Sequence, residues 1–262
     1  MTIRAEVVAD SISPQGIRLA TLQLRYPKFI HGEFMTHRAF SRNASSSRAI
    51  PVERLIRDVV DDPAMPAYWG KNQKGMQAVE ACDALVDIEW PSGDSDGPQD
   101  SMDAWYHARD YAIAAAEAFA KANYHKQIVN RLLEPFCHIN VVVTATEWSN
   151  FFALRCHPDA QPEMRLLAEA MRVALAKSTP RLLQPGEWHL PYCPDVHGKP
   201  AGLPGEFKED DAIKVSVARC ARVSYLTQDG REPSITEDLA LYERLVAAVP
   251  LHASPAEHQA TP

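Results

Sequence analysis

The stretch Thr36-His37-Arg38-Ala39-Phe40-Ser41-Arg42-Asn43-Ala44-Ser45-Ser46-Ser47-Arg48 is the densest polar cluster in the chain, with three arginines, one histidine, one asparagine and four serines. Such a set suits a phosphate group. Hydroxyls and turn amides can cradle it, and a guanidinium can bind it through two parallel hydrogen bonds. A solvated polar loop has the same composition, so residue types alone leave both readings open. A second cluster is Asn150-Phe151-Phe152-Ala153-Leu154-Arg155, followed by Asp159-Ala160-Gln161-Pro162-Glu163. An arginine that follows an apolar, aromatic run is expected to be partly buried and to need an anionic partner. Glu147, Glu163 or a bound anion would each answer that need. A third feature lies near the end, in Ala221-Arg222-Val223-Ser224-Tyr225 and Ser254-Pro255-Ala256-Glu257-His258. By itself the second of these is no more than a serine turn at a helix start.

Other chemistries lack their signatures. The chain has neither GxGxxG nor GxxxxGKS, so any nucleotide is held without a glycine-rich turn. No GxSxG occurs. Cys137-His138 and Cys156-His157 are adjacent pairs without zinc-ligand spacing, and no metal site is expected. The five cysteines are odd in number and widely spread, which reads as reduced thiols in a cytoplasmic protein.

The elements that must position these residues follow from periodicity. Ala5 to Val8 reads as β, and a turn near Pro14 and Gly16 leads into Ile17 to Tyr26. There Leu22, Leu24 and Tyr26 alternate with Gln23 and Arg25, the pattern of a half-buried strand. A short helix is expected over 29–39 and another opens at Pro51, carrying Leu55, Ile56 and Val59. Residues 89–100 contain the clearest exposed loop, PSGDSDGPQD, with helices expected over 73–88 and 101–125. Ile139 to Val143 is β-branched and reads as a strand. Thr144-x-x-Glu147 has capping-box spacing, which predicts a helix through Arg155. Asp159 is the expected cap of a helix over 160–177, with Met164, Leu167, Ala168, Met171 and Leu175 on one face. Residues 179–206 hold six prolines and read as an ordered connector before two last helices, 209–222 and 236–248. The whole predicts an α+β fold with helix in excess, as one domain over 1–262.

Composition narrows the function. The 27 Lys+Arg against 34 Asp+Glu leave a net charge of −7, a poor basis for gripping nucleic acid broadly. Any anion must therefore be held by a local pocket. No leader-like segment opens the chain, and no apolar run approaches a membrane span of roughly 18 residues. Proline outnumbers glycine, 20 to 11, which favours fixed turns over flexible linkers.

Taken together, the three clusters resemble the flavin-dependent thymidylate synthases. That family carries Arg-His-Arg-x-x-Ser-x-Asn-x-x-Ser-x-Arg, matched here at His37, Arg38, Ser41, Asn43, Ser46 and Arg48. It also carries an Asn, a Leu-Arg and Ala-Gln-x-Glu, matched by Asn150, Leu154-Arg155 and Ala160-Gln161-Pro162-Glu163. Arg131 and Pro135 match an upstream arginine and proline. Ala-Arg-Val-Ser and Ser/Thr-Pro-x-Glu-His match residues 221–224 and 254–258. In the family those last two elements come first, and here they come last. A circular permutation of the same helix-rich fold, with its small antiparallel sheet, is therefore expected. Residues 60–125 and 179–210 are not covered by the resemblance.

The resemblance implies a homotetramer that binds FAD beside deoxyuridine monophosphate at a subunit interface. NADPH would reduce the flavin, and methylenetetrahydrofolate would supply one carbon to the pyrimidine ring. Arg155 falls on the family arginine that contacts the pyrimidine and favours its ionised form, which is a catalytic role. Arg38, Ser45, Ser46, Ser47, Arg48 and Arg131 would hold the nucleotide with Arg155. His37, Arg38, Asn43, Asn150, Ser254 and Glu257 would lie near the flavin. The partners implied are small molecules and further copies of the chain, with no nucleic acid or membrane. The chain departs from the family at Glu33, Thr36 and Ala44, where Gln, Arg and Glu are usual, and Thr144-x-Thr146 replaces Asn-x-Arg. These departures leave a hydroxymethylated product, or a different pyrimidine, beside thymidylate synthesis. They also leave a non-catalytic nucleotide-binding or assembly protein that retains the fold.

Overall fold

The computed structural model describes residues 2–193, 195–196, 199–200, 209–223, 233–246 and 249–262. Ser224, Tyr225 and part of the proline-rich stretch fall outside them. Strands β1 (Arg4–Ile12) and β2 (Arg18–Pro27) form the hairpin. Its turn uses Gly16 at φ +84°, a conformation that costs glycine little. A turn of 3-10 helix leads to α1 (His31–Phe34), which is shorter than the expected 29–39 helix. Residues 41–44 of the polar cluster form a strand, β3 (Ser41–Ala44). Then follow α2 (Val52–Asp61), α3 (Ser101–Lys121), α4 (Lys126–Leu133), β4 (His138–Ala145), α5 (Ser149–Arg155), α6 (Pro162–Lys177) and the two-residue β5 (Arg181–Leu182). A small pair β6 (Asp195–Val196) and β7 (Lys199–Pro200) precedes α7 (Glu209–Ala221) and α8 (Ile235–Val246).

The five-stranded sheet has the order β3-β4-β2-β1-β5. Every pairing is antiparallel except β1 with β5, so the sheet is mixed at one edge. The fold is α+β. One sheet face carries Leu22, Leu24 and Tyr26 of β2 beside Ile139, Val141 and Val143 of β4. Helix α6 covers them with Met164, Leu167, Ala168, Met171 and Leu175, the stripe its 3.6-residue period predicts. Burying each of the methionines and leucines among these contributes about 1.5–3 kcal/mol. A second cluster joins Leu55 and Val59 of α2 to Ala116, Val129, Leu133 and Phe136. A third holds α7 to α8 through Ala218, Ala221, Leu241 and Leu245.

Three local expectations fail, each for a physical reason. Residues 73–88 are not helical and carry only isolated bridges, such as Gly70 with Ala81. Their apolar residues have no core to face: Met76 and Val79 are exposed. Gly75 sits at φ +113°, and a Cβ on Gly70 would lie 2.1 Å from that of Ala78. Thr144 caps nothing, because it lies within β4, and α5 begins after Trp148. The cap of α6 is Gln161, whose side chain accepts from the Met164 amide, and not Asp159. Glutamine does this work because Pro162 starts the helix two residues later than expected.

Candidate active site

Two clefts receive the polar cluster, one on each side of Phe40. That ring is buried between Phe34, Phe151 and Trp148, so the backbone must turn past it. Residues 36–39 stay on one side and residues 43–49 on the other.

The first cleft, about 370 Å³, is lined by His37, Arg38, Glu147, Asn150, Phe151 and Arg155 among others. Arg155 is at the C-terminal end of α5, where a cation is favoured by the helix dipole. Its Nε donates to His37 Nε2 at 2.8 Å. His37 therefore accepts on Nε2, and its neutral ring carries the proton on Nδ1. Burial, then the charges of Arg155 and Arg42, push the His37 pKa below its ordinary value, which keeps the ring neutral. The ring lies edge-on to Phe151 at 4.8 Å and stacks near Phe40. Neither expected carboxylate pairs with Arg155. Glu147 accepts from the Ser149 amide, and the Glu163 side chain accepts from the Ala67 amide and Gln161. The half-buried guanidinium of Arg155 thus has no acid partner among the described residues. Arg38 and Asn150 stand exposed on the rim.

The second cleft, also about 370 Å³, is lined by Asn43, Ala44, Ser46, Arg48, Gln127 and His252. Arg48 is exposed, with its Nε 3.5 Å from the Ser46 hydroxyl. Ser254 donates to Asn43 Oδ1, and Asn43 Nδ2 donates to the Cys220 carbonyl. The C-terminal motif is therefore seated on β3. Sequence reasoning missed Gln127 and His252. For His252 the signal was its place two residues before Ser254; Gln127 offered none.

Other expected site residues face elsewhere. The Ser45 hydroxyl accepts from the Asn140 amide, and Ser47 donates to Glu134. Both hydroxyls are thus engaged by the chain. Arg131 is exposed on α4 beside Glu134, whose carboxyl is held below its ordinary range by Lys28, Ser47 and Arg131 against the opposing effect of burial. Glu257 is exposed and lines neither cleft. The four arginines 38, 48, 131 and 155 do not share one pocket within one chain.

A buried polar chain fastens the C-terminal motif from behind. Ser11 contacts His189 Nδ1 at 2.7 Å, His189 Nε2 contacts Thr21 at 2.8 Å, Thr21 contacts Thr144 at 2.7 Å, and Thr144 contacts His258 Nδ1 at 2.8 Å. Burial lowers both histidine pKa values to about 4. Among the described residues no group of three His, Cys, Asp or Glu could hold a metal ion, and no helix is long and apolar enough to cross a membrane.

A family model described as thymidylate synthase complementing protein matches residues 13–181. Among solved structures, the chain is similar to a UMP/dUMP methylase PolB from Streptomyces cacaoi bound with 5-Br dUMP, at 17% identity and a TM-score of 0.48. That likeness covers 67% of this chain and 90% of the other. The same methylase bound with 5-Br UMP matches at 17% identity and a TM-score of 0.48, over 67% of this chain and 89% of that one. No curated protein sequence matches the chain.

Proposed function

The chain belongs to the thymidylate synthase complementing protein family, and from that premise we propose that it transfers a one-carbon unit to the ring of a pyrimidine deoxynucleotide. The carbon comes from methylenetetrahydrofolate, FAD is the cofactor and NADPH the reductant. The product is a methylated nucleotide, dTMP from dUMP, or its hydroxymethylated counterpart. One observation carries this reading: Arg155 is a fixed, half-buried cation whose only hydrogen-bond partner among the described residues is a neutral histidine. A cation held in that way is free to stabilise an anion that forms beside it. A pyrimidine ring that loses its N3 proton is such an anion, and its C5 becomes nucleophilic. Holding Arg155 with a neutral ring spares the guanidinium the carboxylate that would cancel its field.

The donor set fits a flavin dinucleotide. Among the described residues, Arg38 and Asn150 present unengaged donors on the rim of the first cleft, and Ser254 and Asn43 are joined beside the second. These residues, with His37, would hold it, and when bound it would supply the hydride. Each cleft is at the small end of the range for small-molecule pockets, roughly 300–1,000 Å³. A dinucleotide and a nucleotide together need more than one. The reading therefore includes a homotetramer in which the first cleft of one chain faces the second cleft of another. Ser46, Arg48 and Arg131 would then hold the nucleotide phosphate, with Ser45 and Ser47 shaping the loop, and Arg155 of a neighbouring chain would meet the base. The motif order is read as a circular permutation. Its support is the contact of Ser254 with Asn43 and of His258 with Thr144, pairs separated by 211 and 114 residues.

Tritium release from 5-tritiated dUMP tests the reading, with NADPH and methylenetetrahydrofolate present and the purified protein scanned for flavin absorbance. Release at a rate that follows enzyme concentration supports it. A colourless protein that releases no tritium from dUMP or dCMP, yet binds them, favours the non-catalytic alternative.

A further inference from the structure

Helix α4 sorts its side chains into stripes with the 3.6-residue period of a helix. Val129 and Leu133 are buried in the second core cluster. Next round the helix come Lys126, Asn130 and Glu134, which follow one another at intervals of four and so share a face. All three reach the same short 3-10 turn of the polar cluster, Ser47–Ala49. Lys126 Nζ donates to the Ala49 carbonyl at 3.1 Å, and Glu134 accepts from the Ser47 hydroxyl at 2.7 Å. Asn130 lies between them and donates from Nδ2 to the Ser47 carbonyl at 2.7 Å and to the Ile50 carbonyl at 2.9 Å. One step further round, Gln127 lines the second cleft and Arg131 is exposed.

Of the three, Asn130 is the residue that needs a reason. It is fully buried within a helix, where asparagine is a weaker helix former than the leucine, lysine and arginine around it. A buried amide must also be hydrogen-bonded. Its Oδ1 has no partner among the described residues, so the side chain is there for its two donors. One nitrogen with two protons can bracket a turn. The two carbonyls it holds belong to the first residue of the turn and to the residue after its last, and Arg48 stands between them. By itself the turn is weak. No residue in it is buried, and its own bonds are Ala49 amide to Ser46 carbonyl at 3.0 Å and Ile50 amide to Ser47 carbonyl at 3.2 Å. The Arg48 side chain makes only the 3.5 Å contact with the Ser46 hydroxyl among the described residues, so the backbone beneath it sets its direction.

We propose that Asn130 is a positioning residue for the second cleft: by holding the Ser47 and Ile50 carbonyls it fixes the turn that presents Arg48 to the cleft Arg48 shares with Gln127. The inference rests on the nucleotide grip proposed for that cleft. Asn130 touches no ligand. It acts through Arg48, because a guanidinium on a fixed turn loses less freedom when it binds an anion than one on a loose turn.

Equilibrium dialysis of the full chain against radiolabelled dUMP tests the coupling. Arg48→Gln and Asn130→Ala are each expected to weaken binding about tenfold, the loss of one well-placed charged hydrogen bond. The double variant is expected to bind no more weakly than Arg48→Gln alone, because residues that act as one unit are not additive. Wild-type affinity in Asn130→Ala overturns the proposal, and so does a double variant whose loss is the product of the two single losses. Hydrogen exchange reads the turn without any ligand. The Ala49 and Ile50 amides are expected to exchange about tenfold faster in Asn130→Ala while the amides of β4 keep wild-type rates. Unaltered exchange at Ala49 and Ile50 overturns the proposal. If Asn130→Ala fails to fold, Asn130→Ser, which keeps one donor, replaces it: smaller effects in the same directions are expected, and wild-type affinity and exchange overturn it. An Arg48→Gln variant that binds dUMP as the wild type does counts against the nucleotide grip of the second cleft, and the exchange rates then decide the role of Asn130 alone.

Discussion

The two clefts are built from one continuous polar segment, yet they solve opposite problems. The first holds a cation ready: Arg155 is fixed by neutral His37 and has no carboxylate partner among the described residues. The second holds a surface ready: Ser46 and Arg48 are near the solvent, while Asn43 and Ser254 lock the floor beneath them. On the proposed function, the difference assigns preorganised charge for chemistry to the first cleft and grip to the second. Preorganisation acts on a transition state, and grip acts on ground and transition state alike.

That contrast can be broken experimentally. Arg155→Ala should lower kcat about 100- to 1,000-fold with the fold intact, as steady-state kinetics and circular dichroism would reveal. Arg48→Ala should instead raise KM for the nucleotide about 10- to 100-fold and change kcat little, the loss of one charged hydrogen bond. If both variants change the same parameter, the division of labour collapses. Thr144→Val removes the link between β2 and the C-terminal motif and should cost about 1–3 kcal/mol in urea unfolding. A related effect comes from pH. His189 and His258 have folded pKa values near 4, below the ordinary 6.5, so each favours the fold while neutral. Their contribution is complete above about pH 6.5 and is lost as pH falls towards 4, by at most about 1.4 kcal/mol per unit for each. Melting temperatures should accordingly fall between pH 7 and pH 5. Ser46→Ala should give the smallest change, a few-fold rise in KM, because that hydroxyl is one of several donors.

Much of the fold was legible from local pattern. Alternation in β2, the β-branched run of β4 and the stripe on α6 all follow from one face meeting a core. The helix expected over 73–88 was not, because periodicity describes a face and not whether anything packs against it. Met76 and Val79 in that stretch are exposed. Thr144 had the spacing of a cap, but a hydroxyl in a strand interior is equally able to bond sideways, and here it bonds Thr21 and His258.

By itself, the sequence determined the family, most of the strands and helices, and which arginines are candidates for holding an anion. These depend on residue type and short spacing, which the chain carries locally. Only the tertiary structure decided that Phe40 divides the polar cluster between two clefts, that Arg155 meets histidine and, among the described residues, no acid, and that Arg54, Arg219 and Arg222 come together around a third cavity. Those facts depend on contacts between residues more than a hundred positions apart, and no local spacing encodes them.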